Sequence, residues 1–202
     1  MRRFLKKIKL KHILYLALII IIVVFSILLV FGFLYAPSKI EGDSMEETIY
    51  DGDWLIINKI NLSPDKLKRG DIIIMKGEPK RYTLFSFLNK SEFAKRFLPS
   101  PIGEDWIKRI VAVGGDTVEL INSRIYINGI ILAEPYVKDQ GVTYSKGLTE
   151  FPYTVPDGEF FVMGDNRVVS HDSRNIGSIQ GDEIIGTSKY RIWPLSGFGK
   201  ID

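Results

Sequence analysis

The pattern of apolar and polar positions divides the chain into two unlike parts. From Ile13 to Tyr35 the residues are almost all Ile, Leu, Val, Phe and Ala, and no charged residue occurs between Ile13 and Ser38. Twenty-three residues in this run make a helix of about 34 Å, enough to cross a hydrocarbon core of about 30 Å with some tilt. A cleaved leader has an apolar region of about 7–15 residues and ends in a small-x-small site. Phe33, Leu34, Tyr35 and Ala36 make no such site. The pattern predicts an uncleaved transmembrane anchor over residues 13–35.

Beyond Ala36-Pro37 the apolar runs become short, β-branched and bounded by Gly, Asp, Asn and Pro. Trp54 to Ile57, Asp71 to Ile74, Trp106 to Val113 and Glu159 to Met163 have the length and composition of strands. Arg124 to Leu132 carries Asn128-Gly129 between β-rich flanks, the signature of a type I′ hairpin. Gly114-Gly115-Asp116 and Pro156-Asp157-Gly158 are further turn signals, and no soluble helix longer than three turns is expected. The fold class is therefore mainly β: an N-terminal transmembrane helix followed by a β-rich body, residues 36–202, of linked small sheets or barrels. One stretch departs from the pattern. Residues 81–103 mix Phe85, Phe87, Leu88, Phe93, Phe97 and Leu98 with Lys90, Lys95 and Arg96. They read equally as a hairpin or short helix joining the core, and as an excursion that touches lipid headgroups.

Charge sharpens this division. Residues 1–39 hold seven of the 27 basic groups and no acid, which leaves 20 basic against 24 acidic groups in the remainder. The six basic residues before Ile13 predict that residues 1–12 form a cytoplasmic tail and that the body lies on the outer face of the membrane. A slightly acidic body argues against nucleic-acid binding through a basic face. With no cysteine, a disulfide framework, a thiolate zinc site and a cysteine nucleophile are excluded.

The residues able to react fall in four segments: Glu41 to Ile49, Arg69 to Ile74, Asp105 to Val111, and Gly164 to Gly177. Ser44, in a Gly-Asp turn context just past the apolar run, is a weak nucleophile until a base takes its proton. Two bases compete. His171 stands beside Asp172, and the other histidine, His12, precedes the anchor. Lys108 stands among Ile107, Ile110 and Val111, where desolvation lowers proton affinity. Taken alone, Lys108 also reads as a solvated strand lysine and Ser44 as a turn serine.

These four segments, in this order behind an N-terminal anchor, resemble the bacterial type I signal peptidases, membrane-bound serine-lysine endopeptidases that remove signal peptides from exported proteins. The resemblance runs from about Ile40 to Pro194 and is most specific in Gly164-Asp165-Asn166-Arg167, followed by Ser170, Asp172-Ser173-Arg174 and Gly177. It implies Ser44 as nucleophile, Lys108 as general base, and Ser170 as a hydroxyl that orients the lysine amine. It also implies Asp172 and Arg174 as a structural ion pair and Asp165, Asn166 and Arg167 as a supporting turn. Shallow pockets for small side chains are implied at Ile40, Met45, Ile49, Leu55, Ile74 and Ile107. His171 becomes a variable position within the last motif.

The implied reaction uses no metal and no organic cofactor. Its implied partners are the signal peptides of exported preproteins and the lipid bilayer, at a bacterial cell membrane, with cleavage after a small-x-small site. Two positions depart from the family pattern. Glu47 stands where the family usually has proline, and Gly42 stands where some members supply an oxyanion hydroxyl. Gly42 leaves the backbone N–H of Ser44 as the expected oxyanion donor. A catalytically impaired or dedicated relative that assists surface-protein assembly is expected to lose Ser or Lys, and both are present. A self-cleaving serine-lysine repressor of related β fold would carry a DNA-binding domain in place of the anchor.

Overall fold

The computed structural model describes residues 2–60, 62–77, 105–137, 142–147 and 149–201, and the aromatic segment 81–103 lies outside them. The chain separates into two units, Met1–Tyr35 and Ala36–Asp202.

The first unit is helix α1 (Arg2–Leu34). It starts within the basic tail, where Arg, Lys and Leu are all good helix formers and no residue breaks a helix. It stops at Leu34, one residue before the end of the apolar run, because Pro37 lacks an N–H and biases Ala36 to extended backbone. Within α1, Lys11–Leu29 is long and apolar enough to cross a membrane, and none of it is buried.

The second unit is built on strands β1 (Tyr35–Lys39), β2 (Trp54–Asn58), β3 (Ile72–Lys76), β4 (Asp105–Val113), β5 (Thr117–Ile121), β6 (Arg124–Ile127), β7 (Ile130–Ile131), β8 (Tyr153–Thr154), β9 (Glu159–Met163), β10 (Ile179–Gln180), β11 (Ile184–Trp193) and β12 (Gly199–Lys200). An eight-stranded sheet has the order β1-β2-β11-β3-β4-β9-β10 with β12 beside β11, and a four-stranded sheet has the order β7-β6-β5-β8. One turn of helix, α2 (Ser173–Ile176), interrupts the strands. Asn128 (φ 53°) and Gly129 (φ 76°) both adopt positive φ between β6 and β7, as a type I′ turn demands.

Three apolar clusters hold the unit together. Ile73, Met75, Ile110, Phe160, Val162, Ile179 and Ile184 pack together as one cluster of the large sheet. Val111, Ala112, Phe161 and Met163 join that sheet to Val118, Ile125, Ile127 and Val155 of the body's smaller half. The third cluster, Ile40, Met45, Ile49, Leu55, Ile72, Ile107 and Ile201, gathers the turn after β1 onto β2, β3 and β4. Met45 and Ile49 are almost wholly buried, at about 1.5–3 kcal/mol each. That burial pins the six-residue turn that begins at Ser44.

Candidate active site

Ser44 occupies a tight turn between β1 and β2. Its frame is local: Glu46 N–H donates to the Asp43 carbonyl (3.2 Å), and Thr48 and Ile49 N–H donate to the Met45 carbonyl (3.0 and 2.8 Å). Gly42 has φ +97°, a conformation a side chain resists, and its N–H donates to Asp51 Oδ1 at 2.8 Å. From across the molecule Asn166 N–H donates to the Ser44 carbonyl at 3.1 Å, and Asn166 Nδ2 donates to the Asp43 carbonyl at 3.1 Å. Among the described residues the Ser44 N–H has no hydrogen-bond acceptor.

Lys108 lies mid-strand on β4, opposite Ile73 of β3. It is only 4% exposed, and its Nζ donates to Ser44 Oγ at 2.9 Å and to the Ile107 carbonyl at 2.9 Å. Burial drives its pKa down from 10.5 to about 8, against the opposing pull of Asp172 and Asp165. Each of those carboxylates is engaged by an arginine. Arg174 Nε and Nη2 donate to Asp172 at 2.8 Å each, and Arg109 Nε and Nη2 donate to Asp165 at 2.9 and 2.7 Å. Both pairs are buried. Paired carboxylates pull less on the lysine than free ones, so desolvation wins. Glu47 is exposed, and the carboxylates acting on Lys108 are Asp172 and Asp165 rather than Glu46 or Glu47.

Asp172 also caps α2, accepting from Arg174 N–H, with the Asn175 side chain returning to its own N–H. It accepts the Gly164 N–H at 3.1 Å as well. Burial raises its pKa, but the Arg174 hydrogen bonds and charge, with help from Ser170 and Gly164, leave the carboxyl below its ordinary value. The Ser170 side chain reaches the site, and its buried Oγ has no hydrogen-bond partner among the described residues. The hydroxyl sits close enough to Asp172 to act on its charge, short of hydrogen-bond geometry. The amine of Lys108 is occupied by Ser44 and Ile107 rather than by Ser170. At Gly164 a Cβ would collide with Ser170 Oγ and the Ser44 carbonyl, so the motif turn approaches the serine closely only because it has no side chain there.

A pocket of about 70 Å³ opens beside Ser44 and Lys108, lined by Ile40, Ile57, Ile74, Ile107, Trp106, Glu41 and Asp105. Of the expected pocket residues, Ile40, Ile74 and Ile107 form its walls. Met45, Ile49 and Leu55 lie in the apolar cluster that also contains Ile40 and Ile107, outside the pocket lining. Sequence reasoning missed Ile57 and Trp106, although the first alternates with Leu55 and the second precedes Lys108 by two. It also left unassigned Arg109 and Thr48, the latter donating to Asp165 Oδ2 at 2.6 Å. His171 is exposed, its ring edge-on to Trp106 at 5.3 Å, and it makes no hydrogen bond to Ser44.

Residues 11–193 match the family model described as signal peptidase, peptidase S26. The chain is 38% identical over 183 residues to signal peptidase I T of Bacillus subtilis strain 168, covering 88% of this chain and 83% of the relative. It is 32% identical over 195 residues to signal peptidase IB of Staphylococcus aureus strain N315, covering 90% of each. A crystal structure of a signal peptidase I from Enterococcus faecalis V583 aligns with 60% of this chain and 96% of its own, at 28% identity and a TM-score of 0.42. With a family match spanning nearly the whole chain and relatives above 30% identity over most of their length, this chain belongs to the signal peptidase family, peptidase S26.

Proposed function

We propose that Ser44 is the nucleophile and Lys108 the general base of a type I signal peptidase, a serine endopeptidase that removes signal peptides from exported preproteins. One observation carries the reading: a buried lysine with a strongly lowered pKa has its amine 2.9 Å from a serine hydroxyl. At that distance the neutral amine is placed to accept the proton of the serine hydroxyl, and the serine oxygen becomes a nucleophile.

The substrate lies extended beside strand edges, paired through its backbone. Ser44 Oγ attacks the scissile carbonyl as Lys108 takes its proton. The unengaged N–H of Ser44 receives the oxyanion, a donor worth about 2.7–4 kcal/mol in comparable sites. Lys108 then protonates the leaving amine and later activates the water that releases the acyl group. Asp172 and Arg174 brace the segment that brings Ser170 beside Gly164, with Asp165, Asn166 and Arg167 holding the motif turn.

The pocket's small volume and its walls of Ile40, Ile74 and Ile107, with Glu41 and Asp105 completing the lining, favour small side chains at the first and third positions before the cut by size. The intervening side chain points away along an extended chain and is free to vary. Residues 13–35 form the membrane anchor, residues 1–12 remain in the cytoplasm, and residues 36–202 act on the outer face. The test is cleavage of an Ala-x-Ala preprotein by the detergent-solubilised chain beside a Ser44→Ala control, with phenylalanine placed at each of the three positions in turn. Loss at the first and third with retention at the second supports the pocket. Equal cutting of all three rejects it, and cleavage by Ser44→Ala rejects the nucleophile.

A further inference from the structure

The turn after β7 takes no part in the reaction just described, yet it touches the site twice. Val137 N–H closes it onto the Glu134 carbonyl at 3.1 Å. Between them Tyr136 lays its ring against Arg109, with the guanidinium carbon 4.0 Å from the ring centroid. Its hydroxyl donates to Glu134 Oε1 at 3.3 Å. Glu134 is paired with Arg167, and Arg167 Nε donates to the Gly164 carbonyl at 3.0 Å. One side chain therefore bridges two buried arginine–carboxylate pairs, both of which end in the turn 164–167.

Arg109 is the more consequential of the two arginines. The edge of its fork is spent on Asp165, and Nη1 donates to the Gly70 carbonyl at 3.0 Å. Asp165 in turn accepts from Thr48, four residues beyond Ser44. Hydrogen bonds fix a guanidinium within its plane, whereas its faces are held by stacking. Tyr136 supplies that stacking surface.

We infer that Tyr136 is a positioning residue of the active site, acting through Arg109 to keep Asp165 paired and the Ser44 turn aligned with β4. It extends the serine-lysine reading and rests on it. The charged groups about Lys108 are Asp172 with Arg174, Asp165 with Arg109, and Glu41 and Asp105 in the lining of the pocket it shares with Ser44, while His171 packs on Trp106. Those facing Tyr136 are Glu134, Arg167, Arg109 and Asp165. Without the stacked ring Arg109 leaves its fork geometry more often. Asp165 then acts on the amine as a less compensated negative charge, which favours the ammonium and moves the onset of activity to higher pH.

The experiment measures kcat and KM against pH for the full chain in detergent on an Ala-x-Ala peptide, comparing the wild type with Tyr136→Leu and Tyr136→Phe. Tyr136→Leu is expected to move the rising limb up by roughly half a pH unit and so to lose about twofold in kcat at pH 8, with KM little changed. Tyr136→Phe keeps the stacked face and stays close to wild type on both counts. An unmoved limb in Tyr136→Leu, or equal impairment by phenylalanine and leucine, overturns the inference. If the leucine variant does not fold, Tyr136→Met carries the same comparison, and failure of both to fold overturns it in favour of a scaffold role. Ser44→Ala and Lys108→Arg run in parallel: activity surviving in either rejects the dyad itself, whatever Tyr136 does.

Discussion

Burying Lys108 costs stability, and replacing it by methionine measures that cost. Methionine has similar length and no charge, so Lys108→Met removes the ammonium while keeping most of the packing. The folded protein holds the lysine at about 8 against an ordinary 10.5, a difference equivalent to about 3 kcal/mol. Folding therefore favours the neutral amine. Below pH 8 the lysine is charged in both folded and unfolded states and the whole penalty applies. Between 8 and 10.5 the folded state has released its proton and the unfolded state has not, so wild-type stability climbs with pH. The variant lacks this group and does not climb. Relative to its value at pH 11, the stability advantage of Lys108→Met is expected to be about 3 kcal/mol larger at pH 7 and about 2 kcal/mol larger at pH 9. The lost hydrogen bonds to Ser44 and the Ile107 carbonyl displace the whole curve without changing its slope. Urea unfolding of the solubilised chain, followed by tryptophan fluorescence, reads the difference, since Trp54, Trp106 and Trp193 all lie in the second unit. A gap that does not change with pH, or one that widens toward high pH, refutes the reasoning.

Peptide cleavage is expected to rise with pH around a midpoint of about 8; Lys108→Arg abolishes it because guanidinium does not give up its proton, while His171→Ala keeps most of it. Gly164→Ala forces a methyl onto Ser170 Oγ and the Ser44 carbonyl, and kinetics should show a loss of roughly 100-fold in kcat, as for a small displacement of reacting groups. Asp172→Asn leaves the buried Arg174 without its counter-charge and lowers stability in a urea titration by about 3–5 kcal/mol. Because the Asp172 carboxyl is held below its ordinary 3.8, its contribution is present above that pH and lost as pH falls through the lowered value, so the variant lacks this part of acid unfolding. Gly42→Ser places a side chain at φ +97° and costs about 1–2 kcal/mol in a thermal melt, with no gain in kcat from the added hydroxyl.

What the sequence made legible was whatever depends on local pattern. The anchor, the strands around Leu55, Ile73, Ile110 and Val162, and the Asn128-Gly129 hairpin all rest on periodicity and turn chemistry. Strand β11 was not legible. It lies between β2 and β3 in the middle of the large sheet, yet its register shifts between Ile184 and Gly186, between Ser188 and Tyr190, and between Arg191 and Trp193. Each bulge breaks the alternation by which a strand is read. Ser44 and Lys108 were named through resemblance, since neither announces itself locally, and their contact is a fact of tertiary structure alone. Met45, Ile49 and Leu55 pack in one apolar cluster with Ile40 and Ile107, an arrangement that sequence does not display, because an apolar residue near a nucleophile looks the same whether it faces substrate or core. Arg109 went unassigned for a related reason: its partner Asp165 is 56 positions away.

The same separations govern when the enzyme becomes dangerous. The hydrogen bond between Lys108 and Ser44 spans 64 positions, and that between Asn166 and Asp43 spans 123. A nascent chain that has emerged as far as Ser44 still lacks Lys108, and one that has emerged as far as Lys108 still lacks the turn whose Asn166 N–H grips the serine carbonyl. Long-range contacts of this kind must close long loops, which makes them slow to form. The protease is thus born silent in a chain that carries an apolar segment of its own. The site is complete only when the turn after β9 has arrived, and β2 waits longer still for its neighbour β11.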